Sequence, residues 1–143
     1  MPAALLGGAY IGQYFFHLIA CEMCWWQRYA HFAALGFAVL ALLRPSVKVL
    51  VWLAGVAILT GGLIGLYHAG VEYRWWQGFT ACTSEIKLGD DPLAAIMNAP
   101  MIRCDQVQWS LLGISLAGFN FLISVPAGLL IFALLRRGAA RRP

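Results

Sequence analysis

Four cysteines carry the reactive potential of this chain: Cys21, Cys24, Cys82 and Cys104. Cys21 and Cys24 form a Cys-x-x-Cys pair, and as a staple that pair would do little. Closing so short a loop removes only ~2 kcal/mol of chain entropy. Two thiols this close in sequence at a helix start are better suited to making and breaking a bond than to holding one. Cys82 and Cys104 would close a longer loop, worth ~3 kcal/mol by the same reasoning. That second pair reads equally well as structural or as reactive. An even number of cysteines suits disulfide chemistry in an oxidising compartment.

Around the first pair, Cys24, Arg28 and His31 follow the spacing i, i+4, i+7. On a helix they share one face, with Arg28 one turn (~6 Å) beyond Cys24. A guanidinium there favours a thiolate by about 2–3 kcal/mol at an effective dielectric of about 20, and the thiolate is the species that attacks a disulfide. The plain alternative is an Arg28 that snorkels to the headgroups. His68 is a further candidate at the outer end of an apolar run, or else an ordinary interfacial histidine. Gln13 and His17 read as helix-packing polar groups.

The elements that must position these residues are set by composition. Hydrophobic types make up 62% of the 143 residues, charged types 11%, and the mean hydropathy is +0.75. A soluble domain of this size could not bury that surplus. Four apolar runs, at residues 3–20, 25–43, 49–67 and 109–135, each reach the ~20 residues a bilayer core requires. The last contains Pro126, where a kink is expected. The sequence therefore predicts one all-α domain, a four-helix transmembrane bundle. Its outer loops are 21–24 and 69–108, its cytoplasmic loop is 44–48, and its tail is 136–143.

Charge sets the orientation. Arg44, Lys48, Arg136, Arg137, Arg141 and Arg142 fall on one side, and all six acidic residues on the other. Both termini are expected in the cytoplasm, with every cysteine on the outer, periplasmic side of a bacterial inner membrane. Basic residues at the ends of apolar runs argue for membrane lipid rather than nucleic acid as the partner. Gly8/Gly12 and Gly61/Gly65 are small-xxx-small pairs that predict close helix packing. Tyr67, Tyr73, Trp75, Trp76 and Trp109 read as an interfacial aromatic belt. Asp91-Pro92 predicts a short surface helix through Met97.

The segment Cys21-Glu22-Met23-Cys24-Trp25-Trp26-Gln27-Arg28 resembles the signature of the DsbB family of disulfide bond formation proteins. Tyr67-His68-Ala69-Gly70-Val71-Glu72 is similar to the family's passage into its long outer loop. So is the stretch from Cys104 through Trp109, Leu112-Gly113 and Ser115. Cys-x-x-C followed by Gln-Arg at the mouth of the second span, with two further cysteines in the next outer loop, is a specific combination. Phe119 and Phe79 depart from the family where Trp and Pro are frequent, both away from the cysteines.

The resemblance implies a quinone-dependent protein-dithiol oxidoreductase and an electron-transport role. A periplasmic thioredoxin-fold oxidase (DsbA-like) would attack Cys82 of a Cys82–Cys104 disulfide. Electrons would pass by Cys104 to Cys21 and Cys24, and then to ubiquinone or menaquinone. The quinone would sit by Cys24, Arg28 and His68. A four-thiolate metal site lacks a second Cys-x-x-Cys knuckle, so no metal is expected. A lipobox reading of Leu18-Ile19-Ala20-Cys21 lacks a basic n-region. A vitamin K epoxide reductase arrangement would put Cys-x-x-Cys near a late helix. The remaining alternative is a non-enzymatic small carrier or transporter with structural disulfides.

Overall fold

The computed structural model describes residues 1–83, 97 and 102–140. Four α-helices make up most of it: α1 (Pro2–Phe15), α2 (Glu22–Leu43), α3 (Lys48–Glu72) and α4 (Leu116–Ala140). A one-turn 3-10 helix covers Ala81–Thr83, and a two-stranded hairpin pairs β1 (Ser110–Leu111) with β2 (Ile114–Ser115). This is an all-α membrane bundle, as the composition requires. Among the described residues, α3 and residues 116–138 of α4 are long and apolar enough to cross a bilayer. The expected surface helix from Asp91 lies outside the described residues, except for Met97, which is exposed.

The helix ends differ from the apolar runs, and each difference has a local cause. The first run was expected to span 3–20, but α1 stops at Phe15. His17 turns to φ 53° and the Leu18 amide bonds back to the Gly12 carbonyl, a left-handed helix ending. Fourteen residues give only ~21 Å of helix, short of the ~30 Å core. His17 is therefore an exposed bend residue rather than a packing group.

The fourth run was expected to be helical from Trp109, but residues 110–115 fold as the hairpin. Leu112 (φ 53°) and Gly113 (φ 79°) form its two-residue turn. Positive φ at both positions suits the right-handed twist of paired strands. The Tyr73 hydroxyl accepts the Ser115 amide at 2.8 Å and donates to the Gly113 carbonyl at 2.7 Å. α3 meanwhile overruns the third apolar run by more than a turn and carries His68 and Glu72 with it.

α3 is the central helix and packs along both α2 and α4, while α1 leans mainly on α2. Of the two small-residue pairs, Gly61 and Gly65 behave as expected. A Cβ on Gly61 would meet Ala30 at 3.2 Å, and one on Gly65 would meet the Ala117 carbonyl oxygen at 2.9 Å. Gly8 has nothing within 4 Å and instead borders a cavity left between α1 and the other helices. α4 runs on through Pro126.

The aromatic residues beyond α3 do more than line an interface. Tyr67 stacks on Trp76 (centroids 5.8 Å apart) and packs on Phe79 (5.2 Å), which reaches Trp26 of α2. Trp76 lies against Gly70 and donates its indole N–H to the Tyr67 carbonyl at 3.0 Å. These contacts fold the segment leading to Cys82 down onto the bundle.

Candidate functional site

Cys21 caps the N-terminus of α2: its sulfur accepts the Cys24 amide at 3.3 Å, as a serine hydroxyl would. The cap puts Cys24 in the first helical turn, where the unpaired N–H groups favour an anion. The two thiols are unbonded, with sulfurs 2.8 Å apart. Both lie at the hairpin tip, outside the expected spans. The hydrogen bond between them, then burial, pushes the Cys21 thiol well above the usual thiol range. The same hydrogen bond pulls Cys24 down against the opposing effect of burial. Of the two, Cys24 is thus the sulfur that ionises more readily, with the Cys21 thiol as its hydrogen-bond donor.

Cys82 and Cys104 are disulfide-bonded, with Cα atoms 5.4 Å apart. The bridge packs directly on the first pair: Cys21, Cys82, Cys104, Met23 and Val71 form one buried cluster, with Cys24 and Tyr67 against it. The Cys21 sulfur, His68 Nε2 and the Cys104 sulfur all lie within 4.8 Å of one another. All four cysteines are therefore brought together, across sequence separations the chain itself does not reveal. Cys82 is 7% exposed and Cys104 fully buried.

A buried polar chain leads from this cluster into the bundle. Gln27 donates Nε2 to His68 Nδ1 at 2.9 Å, so a neutral His68 carries its proton on Nε2. That nitrogen faces the Cys21 sulfur at 3.6 Å and a Glu72 carboxylate oxygen at 3.8 Å. Gln27 Oε1 accepts from Asn120 Nδ2 at 2.7 Å, and the same amide group reaches the Gly61 carbonyl at 3.0 Å. Asn120 Oδ1 accepts from His31 Nε2 and from the Ser124 hydroxyl, both at 2.8 Å. Nearly every polar atom is paired, as burial in an apolar bundle demands. Among the described residues, His31 Nδ1 and one Glu72 oxygen are buried without a hydrogen-bond partner.

Beside Cys24 lies a cavity of about 250 Å³. Leu5, Leu6, Leu116 and Phe119 contribute apolar walls; Gln27, Arg28, His31, His68 and Asn120 contribute polar ones. The expected face is thus present: Cys24, Arg28 and His31 all border this space. Arg28, however, is turned toward α1. Its guanidinium donates to Gln13 Oε1 at 2.6 Å and to the Ala9 carbonyl at 3.3 Å, and it lies 4.8 and 5.0 Å from the ring centres of Tyr10 and Trp25. Its charge still pulls Cys24 down as expected, behind the hydrogen bond from Cys21. Gln13 makes the expected helix–helix hydrogen bond.

At the rim of the cavity, Gln108 clamps the segment between α1 and α2 with both ends of its amide. It donates to the Ile19 carbonyl at 2.7 Å and accepts the Ile19 amide at 2.8 Å. Nearby, Arg103 forms a two-point bond to Asp105 at 2.5 and 2.8 Å, which holds the Asp105 carboxyl below its ordinary range.

Sequence reasoning missed Asn120, Glu72, Thr80 and Gln108, and assigned Gln27 no separate role. Asn120 carried a legible signal, as the one amide in a long apolar run. The others sit in polar loops or helix ends, where nothing distinguishes them until the fold is known.

The family model described as "Disulfide bond formation protein DsbB" matches residues 1–135. A "Disulfide bond formation protein B" of Verminephrobacter eiseniae (strain EF01-2) is 33% identical over 150 residues, covering 95% of this chain and 80% of the relative. An "Uncharacterized protein RP370" of Rickettsia prowazekii (strain Madrid E) is 28% identical over 126 residues, covering 84% and 73%. No solved structure matches.

Proposed function

Because this chain belongs to the DsbB family of disulfide bond formation proteins, we propose that it carries two electrons from a periplasmic thioredoxin-fold dithiol protein, through Cys82/Cys104 and Cys21/Cys24, to a membrane quinone. The observation that carries this reading is the contact between the two cysteine pairs. Cys21 and Cys104 hold their sulfurs within 4.8 Å, close enough for thiol–disulfide exchange after a small local shift. A pair of structural staples has no need of that proximity.

The partner's thiolate attacks Cys82, the less buried sulfur of its bridge. Cys104 is then free to exchange with the first pair, and Cys24 becomes the terminal thiolate. A thiolate in the first turn of α2, bordering a cavity with apolar walls, fits a lipid-soluble oxidant. A quinone bound there supplies a two-electron sink. Cys24, Arg28 and His68 would hold it, with Leu5, Leu6 and Phe119 keeping water out. His68 Nε2 holds a proton near Cys21, and Gln27 fixes that tautomer from behind. Both termini are assigned to the cytoplasm and the four cysteines to the periplasmic side of the inner membrane.

The test is anaerobic mixing of purified protein with a reduced thioredoxin-fold oxidase and short-chain ubiquinone, then menaquinone, following quinol and thiols together. One quinol should appear per partner disulfide, and none with Cys24→Ser. Quinol formation that persists in Cys24→Ser, or none in the native protein with either quinone, overturns the relay.

A further inference from the structure

Thr80 is buried (6% exposed), and its hydroxyl lies 3.1 Å from the Cys82 sulfur. A disulfide sulfur carries no proton, so in this state Thr80 must be the donor. The contact is built in rather than incidental. The Thr80 carbonyl accepts both the Thr83 amide (3.0 Å) and the Thr83 hydroxyl (2.7 Å), closing a turn with Cys82 inside it. A Cβ on Gly78 would run into the Thr83 side chain. Cys104, by contrast, is fully buried beside Met23 and Val71, surroundings that disfavour a thiolate.

We propose that Thr80 makes Cys82 a good leaving sulfur, by donating a hydrogen bond to the thiolate that forms there. Resting on the relay reading, the step it serves is release of the oxidised partner. The partner's second thiolate attacks the partner sulfur bonded to Cys82. A disulfide forms within the partner, the partner–Cys82 bond breaks, and the electron pair leaves on Cys82, where the Thr80 hydroxyl meets it. Leaving groups of lower pKa depart faster.

The test needs neither quinone nor partner, so it can fail while the relay stands, and the relay can fail while it stands. Purified protein carrying Cys104→Ala leaves Cys82 free, and its iodoacetamide alkylation is followed against pH by mass spectrometry. Thr80→Val in that background should slow alkylation at neutral pH about tenfold and move the midpoint up by about one pH unit, as for loss of a hydrogen bond to a charged group. Thr80→Ser should restore both. With Thr80 intact, Cys82 in Cys104→Ala should ionise at lower pH than Cys104 in Cys82→Ala. An unchanged midpoint in Thr80→Val, no recovery in Thr80→Ser, or equal or reversed order of the two sulfurs overturns the role of Thr80.

Discussion

At the scale of single residues, the site works by unequal treatment of like groups. Of the two thiols at the hairpin tip, Cys24 is pulled toward ionisation and Cys21 away from it by the hydrogen bond they share. Cys24 is pulled down mainly by the Cys21 hydrogen bond, so that bond should be visible in a pH profile. With both thiols reduced, Cys24 should alkylate below the ordinary thiol range. In Cys21→Ala the midpoint should move up, with about tenfold slower reaction at pH 7, because the charged form loses its donor. An unmoved midpoint would return the main influence to Arg28. The Cys-x-x-Cys spacing announced this chemistry. The ranking of Cys21 over Arg28 was not legible, since it depends on a 2.8 Å contact and on a guanidinium captured by Gln13 and Ala9 of another helix.

At the scale of elements, the bundle depends on α3 lying close to both neighbours. A Cβ on Gly65 would approach the Ala117 carbonyl oxygen to 2.9 Å and Asn120 Nδ2 to 3.1 Å, so backbone must move. Gly65→Val should cost about 1–3 kcal/mol as overpacking and disturb the Asn120 hydrogen bonds with it. Gly7→Ala, with nothing within 4 Å, should be tolerated. Thermal unfolding in detergent separates the two.

The hairpin before α4 makes a second case. Tyr73→Phe removes both the Ser115 and the Gly113 hydrogen bonds, a loss of about 1–2 kcal/mol. Hydrogen exchange should show the Ser115 amide losing protection while amides inside α4 keep theirs. Apolar periodicity cannot distinguish Trp-Ser-Leu-Leu-Gly-Ile-Ser from the first turns of a helix. The distinction comes from Gly113 at φ 79° and from a tyrosine 40 residues away.

At the scale of the whole molecule, Arg44, Lys48, Arg136 and Arg137 lie at one end of the bundle and Glu22 and Glu72 at the other, and orientation should follow. In an otherwise cysteine-free chain, Leu112→Cys should label with a membrane-impermeant maleimide in intact spheroplasts. Ser46→Cys should label only after permeabilisation. The opposite pattern would invert the topology and place the cysteines in a reducing compartment, where the relay could not run.

The sequence by itself determined that the chain is a helical membrane bundle, because so apolar a composition has few other solutions in a lipid solvent. It also placed a Cys-x-x-Cys pair at the start of an apolar run, since a two-residue spacing at a helix start is a local property. Only the tertiary structure decided which sulfurs meet, where Arg28 points, and that Gln27, His68, Asn120 and His31 form one chain. Those contacts join residues 41 to 93 positions apart. Each buried polar group takes whatever partner the packing brings within reach, and no local pattern encodes that choice.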